Sequence, residues 1–505
     1  MIAIGALPRH WRERSSSPDC LVYGDLALTW AELDDLSTRL AWGLKRSGVV
    51  QDDFVTMMLP NCSMFHVVAF AIWKLGATPH VAAAGLTSLE LETLLATVRP
   101  RLLVAEAGAL ATRFGAATPE GLLASGKDDP LEIKVARYWK ATNSGGSTGR
   151  PKVIVDHKPA AFDLDRVYMR LPSASSTLHL GPLHHSAPFS FIHFALFRGN
   201  RAVGLARFDA LEVLKLLEHY EISWTMMVPT MMHRIWRLPA AVREAHDLTK
   251  LQTLWHAAGP ISPALKRNWI EWLGPQRVWE TYAASENMAA TVISGADWLD
   301  HPGSVGRPTT EGQIKVLDEN GRVAAPGEVG EIYFMPATGP GTTYHYLGAD
   351  RREAAGGWET VGDYGWMDSN GYLYLADRRV DMIVSGGVNV YPAEVEGALL
   401  SHPAVEAAVV IGLPDEDLGS RVHAIVKLDV ASQGSATDEA LTSFLTTQLA
   451  RYKLPRTFEY VDRLLRDEFG KVSRAELRRL RLQTPETTPA GGDSTGADAE
   501  RIVQE

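Results

Sequence analysis

The chain has 505 residues, of which 46% are hydrophobic and 22% are charged, a composition typical of a globular protein with more than one domain. Its net charge of −10 argues against nucleic acid as a main partner, because binding to a phosphate backbone requires a basic surface. The two cysteines, Cys20 and Cys62, give no disulfide framework and suit a reducing compartment.

Neither a signal peptide nor a membrane span is predicted. Residues 1–18 lack the sustained apolar core of a signal peptide. The most apolar region, residues 55–86, is interrupted by polar residues and prolines, so it is a poor candidate for a span. We therefore expect a cytoplasmic protein.

Apolar runs alternate with helical patterns over the first two-thirds of the chain, which predicts a layered α/β architecture. A helix is expected over residues 30–46, because Thr29 is a suitable N-cap and Glu32 completes a capping box. The candidate strands are residues 54–58, 101–105, 136–139, 153–155, 177–181, 223–228, 251–256 and 277–281.

The pattern changes further along the chain. Residues 312–334 are typical of β-hairpins, with Asn320-Gly321 as a strong turn signal. A second unit begins near residue 377, and its segments are a hairpin through Gly386-Gly387, helices over 393–400 and 438–449, and strands over 404–412 and 421–428. After about residue 480 the sequence is polar and rich in proline and glycine, which predicts a disordered tail.

The segment from Thr142 to Lys152 reads TNSGGSTGRPK and lies between two predicted strands. Its glycines free the backbone, and its N–H groups, hydroxyls and lysine suit the oxygens of a polyphosphate. A Walker A loop is excluded, because that motif places its lysine at the head of a helix, whereas Lys152 follows Pro151 and enters a strand. The segment therefore predicts a nucleotide-phosphate loop of another kind.

This loop resembles that of the adenylate-forming superfamily of acyl-CoA ligases, luciferases and peptide-synthetase adenylation domains. Its double glycine, Gly145-Gly146, is similar to that of bile-acid and related bulky-acid CoA ligases. The resemblance extends from about Thr29 to Leu480. It implies an α/β fold: a large N-terminal domain of layered α/β subdomains with a β-barrel-like part (1–376), a hinge (377–381), a small mobile α+β C-terminal domain (382–480) and the tail (481–505).

The same resemblance implies the residues around the nucleotide. Ala258-Gly259-Pro260 matches the turn that lies against adenine, and Asp363 matches the aspartate that binds both ribose hydroxyls. In the motif from Tyr282 to Glu286, the tyrosine ring packs on the purine, a hydroxyl (here Ser285) bonds the α-phosphate, and Glu286 holds Mg²⁺. The loop contributes Thr142, Ser144, Gly145, Gly146, Ser147, Thr148, Gly149 and Lys152, and the hinge motif contributes Arg378.

Three further segments are implied to act on the acid and on CoA. His185, in the sequence PLHH, matches the residue that gates the passage of the carboxylate and of pantetheine. Lys471 matches the adenylation lysine, and Val380 occupies the hinge position. The segment that lines the CoA tunnel after domain rotation is represented by Ser385, Gly386 and Gly387.

The implied reaction uses ATP, Mg²⁺ and CoA, and it passes through an acyl-AMP. The approach to Lys471 departs from the family pattern, because Asp467 and Glu468 replace neutral residues there. These carboxylates would pair with Lys471 or repel ATP, so our hypothesis is that adenylation is weakened or lost while thioester formation remains. A partner ligase would then supply acyl-AMP; the alternative is that both carboxylates face solvent.

The predicted acyl pocket follows the gate. Residues 184–197 contain no carboxylate for an amino group, which disfavours an amino-acid-activating domain, and a luciferase is disfavoured as well. Four residues suggest room for an alicyclic, terpenoid or steroid-like acid: Ala187, Phe189, Ser190 and His193. Three functions stay open: a complete ligase, a thioesterification-only enzyme and a non-catalytic adenylate-binding protein. The thiol acceptor is either CoA or a carrier protein. The oligomeric state is also open, with a dimer among the alternatives.

Overall fold

The computed structural model describes residues 1–15, 19–127, 129–144, 152–376, 383–385, 388–415, 417–429, 436–463 and 472–483. The helices of these ranges are α1 Leu7–Arg12, α2 Trp30–Arg46, α3 Ser63–Lys74, α4 Ser88–Val98, α5 Ala109–Arg113, α6 Pro119–Ser125, α7 Ser186–Phe197, α8 Ala210–His219, α9 Pro229–Trp236, α10 Ala240–Glu244, α11 Pro263–Leu273, α12 Gly295–Asp300, α13 Pro392–Leu400, α14 Asp438–Thr446 and α15 Arg474–Gln483.

The strands alternate with these helices in the first half of the chain and follow one another in the second. They are β1 Ile2–Ala3, β2 Asp19–Tyr23, β3 Leu26–Thr29, β4 Phe54–Met58, β5 Thr78–Val81, β6 Leu102–Ala105, β7 Ala141–Ser144, β8 Lys152–Asp156, β9 Ala161–Phe162, β10 Ser176–His179, β11 Arg201–Gly204, β12 Trp224–Met227, β13 Thr253–His256, β14 Val278–Ala283, β15 Ala290–Ser294, β16 Ser304–Pro308, β17 Gly312–Leu317, β18 Gly330–Pro336, β19 Tyr344–Leu347, β20 Arg352–Ala354, β21 Trp358–Thr360, β22 Tyr364–Met367, β23 Leu373–Ala376, β24 Ile383–Ser385, β25 Val388–Val390, β26 Val405–Asp415, β27 Gly419–Leu428 and β28 Thr457–Tyr460.

A six-stranded sheet with the order β19-β8-β7-β5-β4-β6 carries the predicted phosphate loop at one strand connection. Strands β4, β5, β6 and β7 are parallel, and β8 and β19 extend the sheet in antiparallel fashion. Helices α2, α3 and α7 share one hydrophobic core, while α4 covers the sheet from a second. Ten of the twelve residues of α3 are buried.

The second large sheet has fifteen strands and is continuous from β3 to β20. Strands β2, β11, β10, β12, β13 and β14 are parallel; from β15 onward every pairing is antiparallel. The antiparallel part is the region predicted to be barrel-like. In the described strands its pairing path ends at β20 and β17 without closing, so this part is a continuation of the sheet.

The C-terminal unit has its own core. Strands β26, β27 and β28 form one sheet, β24 and β25 form a hairpin, and helices α13 and α14 pack against them. Both strands and both helices predicted after residue 392 are present, although β26 runs three residues further and α14 ends three residues earlier than expected.

The helix that carries a capping signal within its first turn is predicted accurately, whereas one strand before the loop is not. Helix α2 has the predicted bounds and the predicted capping box between Thr29 and Glu32. The strand expected over residues 136–139 is absent, because ladder pairing begins only at Ala141, which pairs with His80 on one side and Val155 on the other. The expected strand therefore lies further along the chain and includes the start of the predicted loop.

None of the helices in the described ranges has the length and apolar character needed to cross a membrane.

Candidate active site

The predicted phosphate loop connects the two strands of a hairpin. Strand β7 ends at Ser144, which pairs directly with Lys152 at the start of β8. Thr142 is buried at its base. Residues 145–151, which hold the glycines and Ser147 and Thr148, lie outside the described residues.

Hydrogen bonds from neighbouring strands brace the base of this hairpin. Asn143 donates to the carbonyl of Val81 (3.0 Å), and its amide oxygen is 3.0 Å from Nε2 of His80. Nδ1 of His80 is in turn 3.0 Å from Oγ1 of Thr56. Burial lowers the pKa of His80 to about 4, so the ring is neutral at physiological pH and its two nitrogens act as one donor and one acceptor.

Lys152, Glu286 and Tyr346 meet beside the loop. The phenol of Tyr346 donates to Oε1 of Glu286 (2.5 Å), and Nζ of Lys152 donates to the Tyr346 oxygen (3.1 Å) and lies 4.0 Å from the carboxylate. The ammonium also lies over the Tyr346 ring, 4.3 Å from its centroid. Burial, and then the adjacent Glu286 charge, raise the pKa of Tyr346, so it stays protonated and acts as a donor.

Glu286 retains one oxygen for a ligand. Its side chain is largely buried, yet Oε2 accepts no hydrogen bond from the described residues and is not enclosed. Within the described ranges, no cluster of three or more His, Cys, Asp or Glu side chains is arranged to hold a metal ion. A single carboxylate oxygen fits Mg²⁺, which keeps several waters and takes its other ligands from phosphate oxygens.

Tyr282 and Asp363, predicted separately as nucleotide residues, are in direct contact. The Tyr282 hydroxyl donates to Oδ2 of Asp363 (2.9 Å), although the two residues are 81 positions apart. Tyr282 is near the end of β14, and its ring lies 6.0 Å from that of Phe334 on β18. Ser285 and Glu286 follow in the turn after β14.

The predicted adenine turn connects β13 to α11. Ala258 has a φ of 72°, a left-handed conformation that is uncommon outside glycine and that a small side chain tolerates best. Gly259 and Pro260 border a cleft of about 770 Å³, whose other wall comes from α13 and the start of β26. Across it, Arg237 donates to the carbonyl of Val405 (2.8 Å) and forms an ion pair with Asp429.

His185 lies at the N-cap of α7, not at a strand end. It does not cap the helix with its side chain, and its ring lies 4.3 Å from that of His184. Asn61 braces the preceding turn, because it donates to the carbonyl of Gly181 (3.1 Å) and accepts from the amide of Leu183 (2.9 Å).

The predicted acyl pocket requires a correction. Phe189 and His193 lie one helical turn apart on the face of α7 that packs into the core, and both are fully buried. Phe189 contacts the rings of Trp73 and Trp139, and His193 hydrogen-bonds His66 (3.2 Å). These two side chains fill the core and line no open pocket in this structure.

The other two predicted pocket residues differ from each other. The Ser190 hydroxyl is buried and donates to the carbonyl of Ser186 (2.6 Å), whereas Ala187 remains partly exposed beside the gate. The acyl-pocket role of Ala187 therefore stays a prediction, whereas Ser190 hydrogen-bonds its neighbours within the protein.

Several predicted residues of the second unit lie outside the described residues: Arg378, Val380, Gly386, Gly387 and Lys471. Ser385 is described, and it is buried at the end of β24 where it pairs with Val388. Tyr346 was not predicted from the sequence, because its contact with Glu286 joins residues 60 positions apart.

Comparison with known proteins adds the family. The sequence model of the AMP-binding enzymes matches residues 8–347, and that of the AMP-binding enzyme C-terminal domain matches residues 394–471. Feruloyl-CoA synthase of Amycolatopsis sp is 32% identical over 493 residues, which cover 94% of this chain and 98% of that protein. 2-Succinylbenzoate–CoA ligase of Geobacillus kaustophilus is 31% identical over 477 residues, covering 91% and 94%.

A solved structure has the same fold. O-succinylbenzoate coenzyme A synthetase from Bacillus subtilis, in complex with ATP and magnesium ion, superposes with a TM-score of 0.78 at 25% identity. The match covers 93% of this chain and 98% of that one.

Proposed function

The chain belongs to the AMP-binding enzymes of the adenylate-forming superfamily, and from this premise we propose that it converts a bulky hydrophobic carboxylic acid to its CoA thioester through an acyl-adenylate. The observation that carries the proposal is the convergence of Lys152, Glu286 and Tyr346 beside the loop hairpin, with Tyr282 bonded to Asp363 nearby. ATP, Mg²⁺ and CoA are the proposed co-substrates and cofactor.

Two displacements make up the reaction. A carboxylate oxygen of the acid attacks the α-phosphorus of ATP, the bond to the bridging oxygen breaks, and pyrophosphate leaves. The CoA sulfur, having lost its proton, then attacks the carbonyl carbon of the acyl-adenylate, and AMP leaves with the electrons of the broken C–O bond. The first step needs charge stabilisation at the phosphates, and the second needs access for pantetheine.

The residues of this chain divide the work between them. Lys152 would turn from the Tyr346 oxygen to a phosphate oxygen, which places a positive charge beside the leaving group. Tyr346 fixes the direction of the Glu286 carboxylate, and Tyr282 holds Asp363 in position for the ribose. Glu286 would hold Mg²⁺ through Oε2, and the ion supplies neutralisation of the phosphate charge.

The proposed acid is hydrophobic because the surroundings of α7 are aromatic. Ala187 is partly exposed two residues after His185, and Phe191, one helical turn further along α7, is a partly buried ring in the same cluster as Trp279.

Pyrophosphate release in the presence of ATP, Mg²⁺ and a panel of polycyclic, aromatic and fatty acids tests the first half. Acyl-CoA formation from preformed acyl-AMP and CoA tests the second half. A complete ligase gives both signals; absence of both with every acid tested would support a non-catalytic adenylate-binding protein and reject the proposal.

One variant links the outcome to the site. Tyr346→Phe removes the donor to Glu286 and is expected to lower the rate of pyrophosphate release by about 10- to 100-fold, the usual effect of losing a group that orients a metal ligand. Tyr333→Phe is the matched control, because it removes a tyrosine–glutamate hydrogen bond (to Glu331, 3.2 Å) away from the cluster, and it should leave the rate unchanged.

A second candidate is an enzyme that performs only the thioester step, with acyl-AMP supplied by a partner ligase. It is favoured by Asp467 and Glu468, which precede Lys471. The pattern that supports it is acyl-CoA formation from acyl-AMP without prompt pyrophosphate release from ATP. Prompt release in the absence of CoA rejects it.

A further inference from the structure

Lys140 is a buried lysine next to the gate that has no role in the steps described above. It immediately precedes β7, and its side chain is 3% exposed. Its backbone carbonyl accepts from the amide of Asp156 (3.1 Å), so its position is fixed by the strand ladder. Its ammonium points to α7, where Nζ donates to the hydroxyls of Ser186 (2.6 Å) and Ser190 (2.7 Å).

No carboxylate of the described residues lies within 4.0 Å of this ammonium. Burial lowers the pKa of Lys140 to about 8; the more distant Asp156 opposes this shift and Lys158 adds to it. The group is therefore mostly charged at neutral pH. Besides the two hydroxyls, the ammonium lies over the ring of Trp139, 5.0 Å from its centroid. Neutral hydroxyls and one aromatic face do not neutralise a buried charge, which is costly unless something else compensates it.

Around Lys140, two donors have no oxygen or nitrogen acceptor among the described residues: the third N–H of the ammonium and the hydroxyl of Ser186. An ammonium has three N–H groups, and two of them reach the serine hydroxyls. The Ser190 hydroxyl is satisfied, because it also donates to the carbonyl of Ser186 (2.6 Å). The Ser186 hydroxyl accepts from Lys140 but donates to none of the described residues, so its hydrogen, polarised by the ammonium, is available.

The helix adds to the positive potential. Ser186 is the first residue of α7, the twelve-residue helix whose first turn has no acidic residue and whose N-cap, His185, makes no capping bond with its side chain. The positive end of the helix dipole therefore lies beside the ammonium, and both favour an anion.

The distance of Lys140 from the phosphate loop indicates which part of the substrate would meet this positive potential. Lys140 is four residues before Ser144, where the phosphate loop starts. In extended backbone, four residues span about 13 Å, so Lys140 lies about that far from the start of the loop. The carboxylate that attacks the α-phosphorus must lie at the loop. A group that reaches Lys140 and Ser186 is therefore a different part of the same acid.

We propose that Lys140 and Ser186 form a specificity determinant that binds an anionic oxygen carried by the acid substrate at the end remote from its reacting carboxylate. The preferred substrate then has a bulky apolar body with a second acidic group. This inference rests on the proposed function and narrows its substrate class. Ser190 is a positioning residue, because it holds the ammonium and touches no substrate.

Matched pairs of probes test the proposal: aromatic and alicyclic dicarboxylic acids, each with its monomethyl ester, which keeps the size and removes the second charge. We expect the wild-type enzyme to prefer the diacids by at least about 100-fold in kcat/KM, because an unpaired buried polar group penalises the neutral analogue. If the enzyme performs only the thioester step, the same comparison is made with preformed acyl-AMPs and CoA.

Variants assign the preference to the residues. Lys140→Met should abolish it by raising KM for the diacids alone, Lys140→Arg should retain part of it, and Ser186→Ala should weaken it while the ammonium stays in place. Lys215→Met, in an exposed pair with Glu212 on α8, is the control and should keep the wild-type preference.

The failures are distinguishable. No turnover of any acid in either assay rejects the proposed function itself. Equal turnover of diacids and monoesters by the wild type, or an equal loss for both in Lys140→Met, rejects the specificity determinant and leaves the ligase function standing.

Discussion

Buried lysines occur in two kinds of surroundings in this molecule. Lys74 on α3 and Lys266 on α11 each form an ion pair with a buried carboxylate, Asp34 and Glu280 respectively. Lys140, equally buried, contacts two serine hydroxyls. Burial lowers the pKa of all three lysines, but a carboxylate opposes the shift at close range only in the first two.

The two kinds of site differ in whether the lysine charge is neutralised by a carboxylate of the protein or is available to bind another group. In the paired sites the charges satisfy each other, so removing one partner leaves an uncompensated charge in the core. At Lys140 no carboxylate of the described residues is in contact, and the ammonium is held by two hydroxyls and the face of Trp139. Removing this charge should therefore stabilise the fold and impair only the binding of its ligand. The sign of the stability change therefore distinguishes the two kinds of site.

The largest effect is expected for Lys266→Met. The side chain is fully buried, and its loss leaves the Glu280 carboxylate without its cation, so the free energy of unfolding should fall by about 3–5 kcal/mol. Urea unfolding at neutral pH measures it. The double variant Lys266→Met/Glu280→Gln should recover most of the loss; a single-variant loss below about 1 kcal/mol would contradict the pairing.

A smaller loss, about 2–3 kcal/mol, is expected for Lys74→Met. Asp34 keeps a second cation in this variant, because Nη1 of Arg12 lies 3.7 Å from its carboxylate. Adding Arg12→Met should bring the loss up to that of Lys266→Met, as measured by the same unfolding experiment. A loss that is unchanged by the second substitution would show that Arg12 gives no compensation.

Lys140→Met should change the free energy of unfolding in the opposite direction and stabilise the protein by about 1–2 kcal/mol at pH 7. The cost of the buried charge exceeds that of the two hydrogen bonds and the cation–π contact with Trp139 that are lost. The native state loses this proton near pH 8, whereas the unfolded chain keeps it until near pH 10.5. The cost is therefore fully present below pH 8 and declines as the pH rises toward 10.5. Unfolding of both proteins at pH 7, 9 and 10 should show the difference shrinking; a constant difference would contradict the titration.

The smallest effect is expected for Lys215→Met on α8. Its partner Glu212 is one turn away at 3.4 Å, and both side chains are exposed, so the pair should contribute about 0.2–0.5 kcal/mol. Because exposed charges are screened, 1 M salt should remove this contribution while leaving the Lys266 loss nearly intact. A salt-independent loss larger than 1 kcal/mol would place Lys215 with the buried pairs.

Elements set by local chemistry were predictable from the sequence, whereas those set by pairing were not. Helix α2 was predicted correctly because Thr29 and Glu32 act within one turn. The strand before the loop was misplaced, because Ala141 is fixed by partners on β5 and β8. The residues from 136 to 139 carry the same apolar character without those partners.

The residues of the candidate site divide in the same way, into those that a local motif identifies and those that only the fold brings together. Tyr282, Asp363, Glu286 and Lys152 were identified from motifs, and the structure brings them together in two contacts. Phe189 and His193 were assigned to the pocket because composition does not reveal which helix face meets the core. Lys140 was missed, since its hydroxyl partners are 46 and 50 residues away and only the fold brings them near.

The parallel pairing of β2 with β11 also has a consequence for synthesis. Leu21 on β2 pairs with Ala202 on β11. Strand β2 therefore has no neighbour on its β11 side until about two hundred residues have been translated. At roughly 5–20 residues per second this interval lasts on the order of 10 s or more, during which the apolar helix α3 has no α7 to pack against. The nascent chain is therefore exposed to aggregation in that interval, and a chaperone that holds the emerging N-terminal region should increase the yield of soluble protein.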